Sequence, residues 1–316
     1  MSNNYTVRLQ RCIKYTLLQE SSAIQLLVDR RRFLRDDYSI VECKFCKGVT
    51  MQYGAMNFPV LPVLDEIDTI AGLGFDYIEL AMDQPEAHYS NVSENHASII
   101  KALKTHGMGL VCHMPTFVST ADLTDSIRRA SITEVKRSMS VAADLGAMKI
   151  VMHPSMISGM GRHVPEKSRG YAFEFLSEMA ELADRLSITI CLENMMPHNG
   201  FGVEPDEMGV IFKILPSLRF TLDTGHANLH DQQGNRLIEL VKRFGDKIDH
   251  VHLSDNRGEY DEHLSLGRGN INIHGLLHML QSIGYDSTVT FEVFDDNRMM
   301  LLESREMVKQ VLHRET

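Results

Sequence analysis

Eight short apolar runs, all but YIELAM ending in or next to a polar residue and most followed by a longer stretch of helical periodicity, dominate the chain from residue 51 onward. The runs are QYGAMN (52–57), YIELAM (77–82), GLVCHM (109–114), KIVMH (149–153), TICLEN (189–194), RFTLD (219–223), DHVHLS (249–254) and TVTFEV (288–293). Runs of this length rich in β-branched residues are strand signals, and the intervening periodicity is a helix signal. Helix candidates include PVLDEIDTIAGLG, DSIRRASITEVKRSMSVAADLG, GYAFEFLSEMAELADRL, RLIELVKRFG and a last one near 297–314, several stopping at glycine. Eight strands alternating with helices predict an α/β fold, a (β/α)8 TIM barrel over 51–316. The rival doubly wound sheet usually has a glycine-rich phosphate turn after its first strand, and GAMNFP is not one.

Residues 1–50 stand outside this scheme as an N-terminal extension, expected to be loosely ordered. LLQESSAIQLLVDRRRFL has the pattern of one amphipathic helix, and Cys43 and Cys46 form a lone CxxC without the second pair that structural zinc needs. Met51 reads as a natural start. Of 32 Lys/Arg and 42 Asp/Glu, nine and five fall in residues 1–50, which leaves 23 and 37 for an acidic barrel. Such a body gives no general encouragement to phosphate-backbone binding. Five cysteines without framework spacing, no apolar run near ~20 residues and a charged N-terminus predict a cytoplasmic protein without a membrane span.

In a barrel of this kind the active site lies at the C-terminal ends of the strands. The polar residues there are Glu79, His113, His153, Glu193, Asp223 with His226 three residues on, His252 and Glu292. So many carboxylates and imidazoles at one mouth repel or sit desolvated unless a cation neutralises them. A divalent metal does that, and oxygen with nitrogen ligands suits Mn²⁺, Co²⁺, Zn²⁺ or Mg²⁺. Cys112 points to the opposite face from His113, and Cys191 lies one layer below Glu193, so thiolates are not in the set. His88 is a candidate for the mouth, and His96 for the surface.

GAMNFP, CHMP, VMHPS, CLENM, LDTGHANL, HVHLSDNRG, DEHLSLGRGNI and FEVF together resemble the xylose-isomerase-like TIM-barrel superfamily. That group holds sugar-phosphate isomerases/epimerases, ketose 3-epimerases, hydroxypyruvate isomerases and endonuclease IV. The resemblance implies one metal held by Glu193, Asp223, His252 and Glu292. Glu193 and Glu292 would serve also as the acid/base pair through an enediolate-like intermediate, with His226 on a substrate oxygen. Arg257 and Glu79 are the substrate-binding candidates, Glu79 equally a structural acid, and Asp255 a candidate to orient a ligand.

The same resemblance carries an alternative, a zinc-dependent apurinic-site phosphodiesterase like endonuclease IV. It would use three zinc ions, with His113, His153, Asp261 and His263 as additional ligands beside the five residues above. Nucleic acid is a partner only under that alternative. Otherwise a small sugar or sugar phosphate is expected, with a homo-oligomer as a further expectation. The loop after strand one, NFPVLPV, is expected to offer neither basic nor aromatic residues for gripping a duplex or holding out a flipped nucleotide. Arg162, Lys167 and Arg169 in GMGRHVPEKSRG form a local cationic cluster that reads either as an anion site or as a solvated loop.

Overall fold

All eight expected runs are strands in the computed structural model, which describes residues 51–231 and 233–313. They are β1 Gln52–Met56, β2 Tyr77–Ala81, β3 Gly109–His113, β4 Ile150–Met152, β5 Ile190–Glu193, β6 Arg219–Asp223, β7 Ile248–Leu253 and β8 Thr288–Phe291. Each pairs in parallel with the next, and β8 pairs with β1, so the sheet closes into a barrel in chain order. Parallel neighbours need a crossover, which helices supply. They are α1 Val63–Gly72, α2 Tyr89–Glu94, α3 His96–His106, α4 Asp125–Asp144, α5 Pro165–Leu186, α6 Pro205–Ile214, α7 Thr224–Asn228, α8 Asn235–Phe244, α9 Ile273–Ser282 and α10 Met299–His313. The amphipathic stretch 17–34 and the Cys43–Cys46 pair lie outside the described residues. No described helix is long and apolar enough to cross a membrane.

Two differences from the expected elements bear on the site. Helix α5 starts at Pro165, five residues before the expected Gly170, because proline at the first helical position gives up only an N–H that a helix start leaves unused. Lys167 and Arg169 are therefore helical, not part of a loop. The chain also turns into α7 directly after β6. The Asp223 carboxylate caps that helix, accepting from the backbone N–H of His226 at 2.6 Å.

Apolar burial is concentrated between strands and helices, where one continuous cluster runs from Met51 to Val311. Inside the barrel the apolar packing is a separate small cluster of Tyr77, Val111 and Val151. Gly54 makes room for it, since a Cβ there would sit 2.2 Å from the Tyr77 ring. Above this plug the interior is polar: Glu79, His113, Glu193, Asp223, His250 and His252 are all buried. Strand pairing aligns Asp223 with His252 and His252 with Thr290, which sets the upper ring in register. At the other end Lys149 closes the barrel, donating to the Asp249 carbonyl at 2.6 Å and to Ser287 Oγ at 3.0 Å.

Candidate metal centre

At the mouth the side chains anticipated from the strand ends converge. His252 Nδ1 lies 3.3 Å from Glu193 Oε1, 3.5 Å from Asp223 Oδ2 and 3.5 Å from Glu292 Oε2. On one side His113 Nε2 and His153 Nε2 approach Glu193 Oε2 at 3.3 and 3.1 Å. On the other, His226 Nε2 and His263 Nε2 approach Asp261 Oδ2 at 3.4 and 3.0 Å. All nine residues from the wider ligand set thus form one connected cluster. Gly225 is part of the reason, because a Cβ there would stand 3.2 Å from Asp261 Oδ1 and 2.9 Å from Ser254 Oγ.

Hydrogen bonds on the far side of each ring decide which nitrogen faces inward. A carboxylate only accepts, so Glu79 Oε1 takes the Nε2–H of His252 at 2.9 Å and leaves its Nδ1 lone pair toward the three carboxylates. For His113, His226 and His263 the arrangement is reversed. Their Nδ1–H groups donate to the carbonyls of Met114, Asn194 and Glu292 at 2.8, 2.9 and 3.2 Å, which turns Nε2 inward. Imidazoles that ligate metals are held in this way.

A divalent ion fits the donor set. Asp223 Oδ2, Glu292 Oε2 and Asp261 Oδ1 are buried without a hydrogen-bond partner. Leaving a buried carboxylate oxygen unpaired is costly, and a cation at the same spot removes that cost. Metal–ligand bonds of ~2.1 Å place neighbouring ligand atoms roughly 3.0 Å apart in an octahedron and 3.4 Å apart in a tetrahedron. The observed 3.3–3.5 Å spacings around His252 Nδ1 are close to these. Glu193, Asp223 and His252 form one group able to hold an ion, and His113, His153 and Glu193 form a second.

The cluster also separates the proton affinities of its two glutamates. Burial raises the Glu292 pKa, and the charges of Asp223 and Glu193 add to it, so that despite His252 and His263 it is pushed up to about 7. Burial opposes ionisation of Glu193 too, but His252 and His153 with N–H donors from His113 and His153 hold it well below the usual carboxylate range. Burial disfavours protonation of His226, yet Asp223, Asp261 and Glu193 hold its pKa well above the ordinary value.

Other expected site residues lie elsewhere. Glu79 is fully buried, with both oxygens taken by His250 and His252, so it is a support beneath the centre and not a substrate contact. Arg257 is exposed and its guanidinium is paired with Glu262. Asp255 touches no imidazole of the cluster. Its two oxygens accept the backbone N–H groups of Asn256, Gly267, Gly269 and Ile271, which shapes the LGRGNI turn.

The cationic cluster is likewise dispersed. Arg162 donates to the carbonyls of Ile157 and His198, Arg169 pairs with Glu207, and Lys167 lies 6.0 Å from the Tyr171 ring centre. His88 caps α2 and pairs with Glu134, and His96 bonds the Asp144 carbonyl, so neither reaches the mouth. The loop after β1 does hold an aromatic ring, Phe58, which is 42% exposed.

Two residues that earned no role in the sequence belong here. His250 donates to Glu79 Oε2 at 2.9 Å, and its other nitrogen shares a 2.7 Å bond with the Thr288 hydroxyl. Asn194 ties β5 to β6 through Asp223, accepting its N–H at 2.9 Å and donating to its carbonyl at 3.0 Å. The signal for His250 was present in HVH, where alternation puts both histidines on one face.

Fold and site together define a (β/α)8 barrel with a carboxylate–imidazole centre at its C-terminal mouth. The chain belongs to the family described as xylose isomerase-like TIM barrel, whose model matches residues 67–313. It is 29% identical over 268 residues to an uncharacterised protein of Methanocaldococcus jannaschii, covering 83% of this chain and 89% of that one. It is 24% identical over 260 residues to the fructoselysine 3-epimerase of Shigella flexneri, covering 80% and 92%. Among solved structures, a D-tagatose 3-epimerase-like protein superposes with a TM-score of 0.74 at 28% identity, covering 83% of this chain and 97% of that one.

Proposed function

We propose that the protein is a metal-dependent sugar isomerase or epimerase, moving a proton next to a carbonyl. The observation that carries this reading is the convergence of Glu193, Asp223 and Glu292 on His252 Nδ1, with partnerless oxygens on Asp223 and Glu292. The likeness to a fructoselysine 3-epimerase and a D-tagatose 3-epimerase-like protein supports the sugar substrate.

Glu193, Asp223, His252 and Glu292 would hold the ion, which when bound supplies Lewis acidity to polarise the carbonyl. The proton transfers fall to the two glutamates. Glu193 and Glu292 share them, one taking the proton beside the carbonyl and the other returning one to the enediolate-like intermediate. His226, tautomer-fixed by the Asn194 carbonyl, presents Nε2 to a substrate oxygen. Burial of the cluster excludes bulk water from the transfer path.

A second reading is a zinc-dependent phosphodiesterase acting on abasic DNA, with His113, His153, Asp261 and His263 as further ligands. One observation favours it: His113, His226 and His263 all have Nδ1 fixed by a carbonyl and Nε2 turned inward, as additional metals would require.

Metal analysis of the purified chain, followed by a sugar panel and an abasic-duplex assay, separates the two. We expect about one Mn²⁺, Co²⁺ or Mg²⁺ per chain, isomer formation with solvent-deuterium incorporation, and no incision. Glu193→Gln and Glu292→Gln are each expected to lower kcat by roughly 10²–10⁴-fold. Near three zinc ions with incision would replace this reading by the second. Full activity in either glutamine variant would sink the acid/base roles.

A further inference from the structure

Beside the centre, a cavity of about 250 Å³ opens between the loops that leave β3, β4 and β5. His153 is a wall of both: its Nε2 lies 3.1 Å from Glu193 Oε2, and its ring also lines the cavity. Most of the rest of the lining is apolar, with Met114, Met152, Met156, Met195, Met196 and Phe117, while Thr116, Thr120, His198 and Asn199 add polar groups. Accessibility falls from rim to floor. Phe117 is 90% and Met156 42% exposed, whereas Met114, Met152 and Met195 are buried.

We propose that this cavity is a subsite for an uncharged apolar substituent of the substrate, an alkyl or aryl group attached to the sugar, and not for a phosphate. The inference rests on the isomerase/epimerase reading and narrows its substrate class. No lysine or arginine lines the cavity among the described residues. The nearby guanidinium of Arg162 is spent on two carbonyls. Two polar groups in the wall are also committed: Thr120 Oγ1 bonds Ser155 Oγ at 2.7 Å, and Asn199 Nδ2 donates to the Ser155 and Phe201 carbonyls at 3.1 and 2.7 Å. A phosphate here would be desolvated with no lysine or arginine and only the imidazoles of His153 and His198 to compensate it.

Size agrees with the chemistry. An apolar cavity of roughly 150 Å³ accepts benzene, so the observed volume takes a six-carbon ring with space left over. Methionine side chains are unbranched and polarisable, and five of them let the wall adapt to groups of different shape. The position beside His153 means that a substituent in the cavity leaves the sugar's reacting carbons beside Glu193.

The test uses the metal-loaded chain with ¹³C-labelled methionine methyl groups and benzyl alcohol as the probe. The methyl signals of Met114, Met152, Met156, Met195 and Met196 are expected to shift saturably, while those of Met279 and Met307, which do not line the cavity, stay in place. In turnover, D-fructose carrying a 6-O-benzyl group is expected to show kcat/KM at least tenfold above D-fructose 6-phosphate. Met156→Lys, at the exposed rim, should erase most of that preference and weaken benzyl alcohol binding at least tenfold with unchanged metal content.

Unmoved methionine signals, or a preference for the phosphate, would overturn the subsite. Saturable methionine shifts with no turnover of either sugar would instead uphold an apolar ligand and remove the isomerase reading on which its naming depends.

Discussion

Glu79 shows how much one buried side chain decides at this centre. Its carboxylate accepts from both His250 and His252 at 2.9 Å, and only while it accepts from His252 Nε2 does Nδ1 keep its lone pair for a metal. In Glu79→Gln the amide N–H₂ must face one of the two rings and forces that ring to accept. Loss of an outer partner of a ligating histidine costs ~10–100-fold in metal affinity. We expect the Mn²⁺ Kd of this variant, read by calorimetry, to rise by that factor while the near-isosteric chain stays folded. An unchanged Kd would show that Glu79 does not set the ring. Sequence alone placed Glu79 at the right strand end and held structural acid as one of two equal readings, but it did not show the partners, which lie 171 and 173 residues away and which only barrel closure brings together. Arg257 and Asp255, a few positions past a strand end, both turn to their own loop, Arg257 to Glu262 and Asp255 to the backbone N–H groups of the LGRGNI turn.

Strand β1 carries the next scale. Gly54 sits where the barrel interior has to admit the whole Tyr77 ring, and the ring hydroxyl reaches Thr290 Oγ1 at 2.8 Å. Gly54→Ala puts a methyl group 2.2 Å from a ring that is fully enclosed, so the ring or the strand must move. Overpacking of this kind costs ~1–3 kcal/mol. The expected reading is a lower denaturation midpoint at unchanged urea m-value. A midpoint equal to that of the parent chain would mean the plug is looser than the contacts imply. At this scale the sequence was largely legible. Short apolar, β-branched-rich runs gave all eight strands, and apolar periodicity gave the long helices α4 and α5. The start of α5 and the immediate turn into α7 were missed, because Pro165 and the Asp223 cap act through single residues at helix ends, which periodicity does not register.

For the whole molecule, the centre makes stability and metal binding respond to pH with opposite signs. Burial disfavours protonated His113 and His263, but hydrogen bonding and charge from Glu193 and Glu79 in the first case, and from Glu292 and Asp261 in the second, raise both pKa values to about 9. A folded-state pKa above the ordinary ~6.5 gives stabilisation that is fully present below pH ~6.5 and lost as pH rises through 9. Glu292, pushed up to about 7, has the same sign in a lower window, from its ordinary value upward. Metal ligation runs the other way, since imidazoles must be neutral to ligate. The chelator-treated chain should therefore lose at least about 5 °C of Tm between pH 6.5 and 9.5, taking ~2–4 °C per kcal/mol for a barrel of this size. Across the same window the rise in Tm on adding Mn²⁺ should grow. Barrel closure is what makes the two effects share one set of groups: strand-end residues far apart in the chain become neighbours that hold protons for each other or, on the function proposed above, a metal between them. A flat or rising Tm in the metal-free chain would mean that these imidazoles are already neutral at pH 6.5, and the proton-for-metal exchange would be wrong.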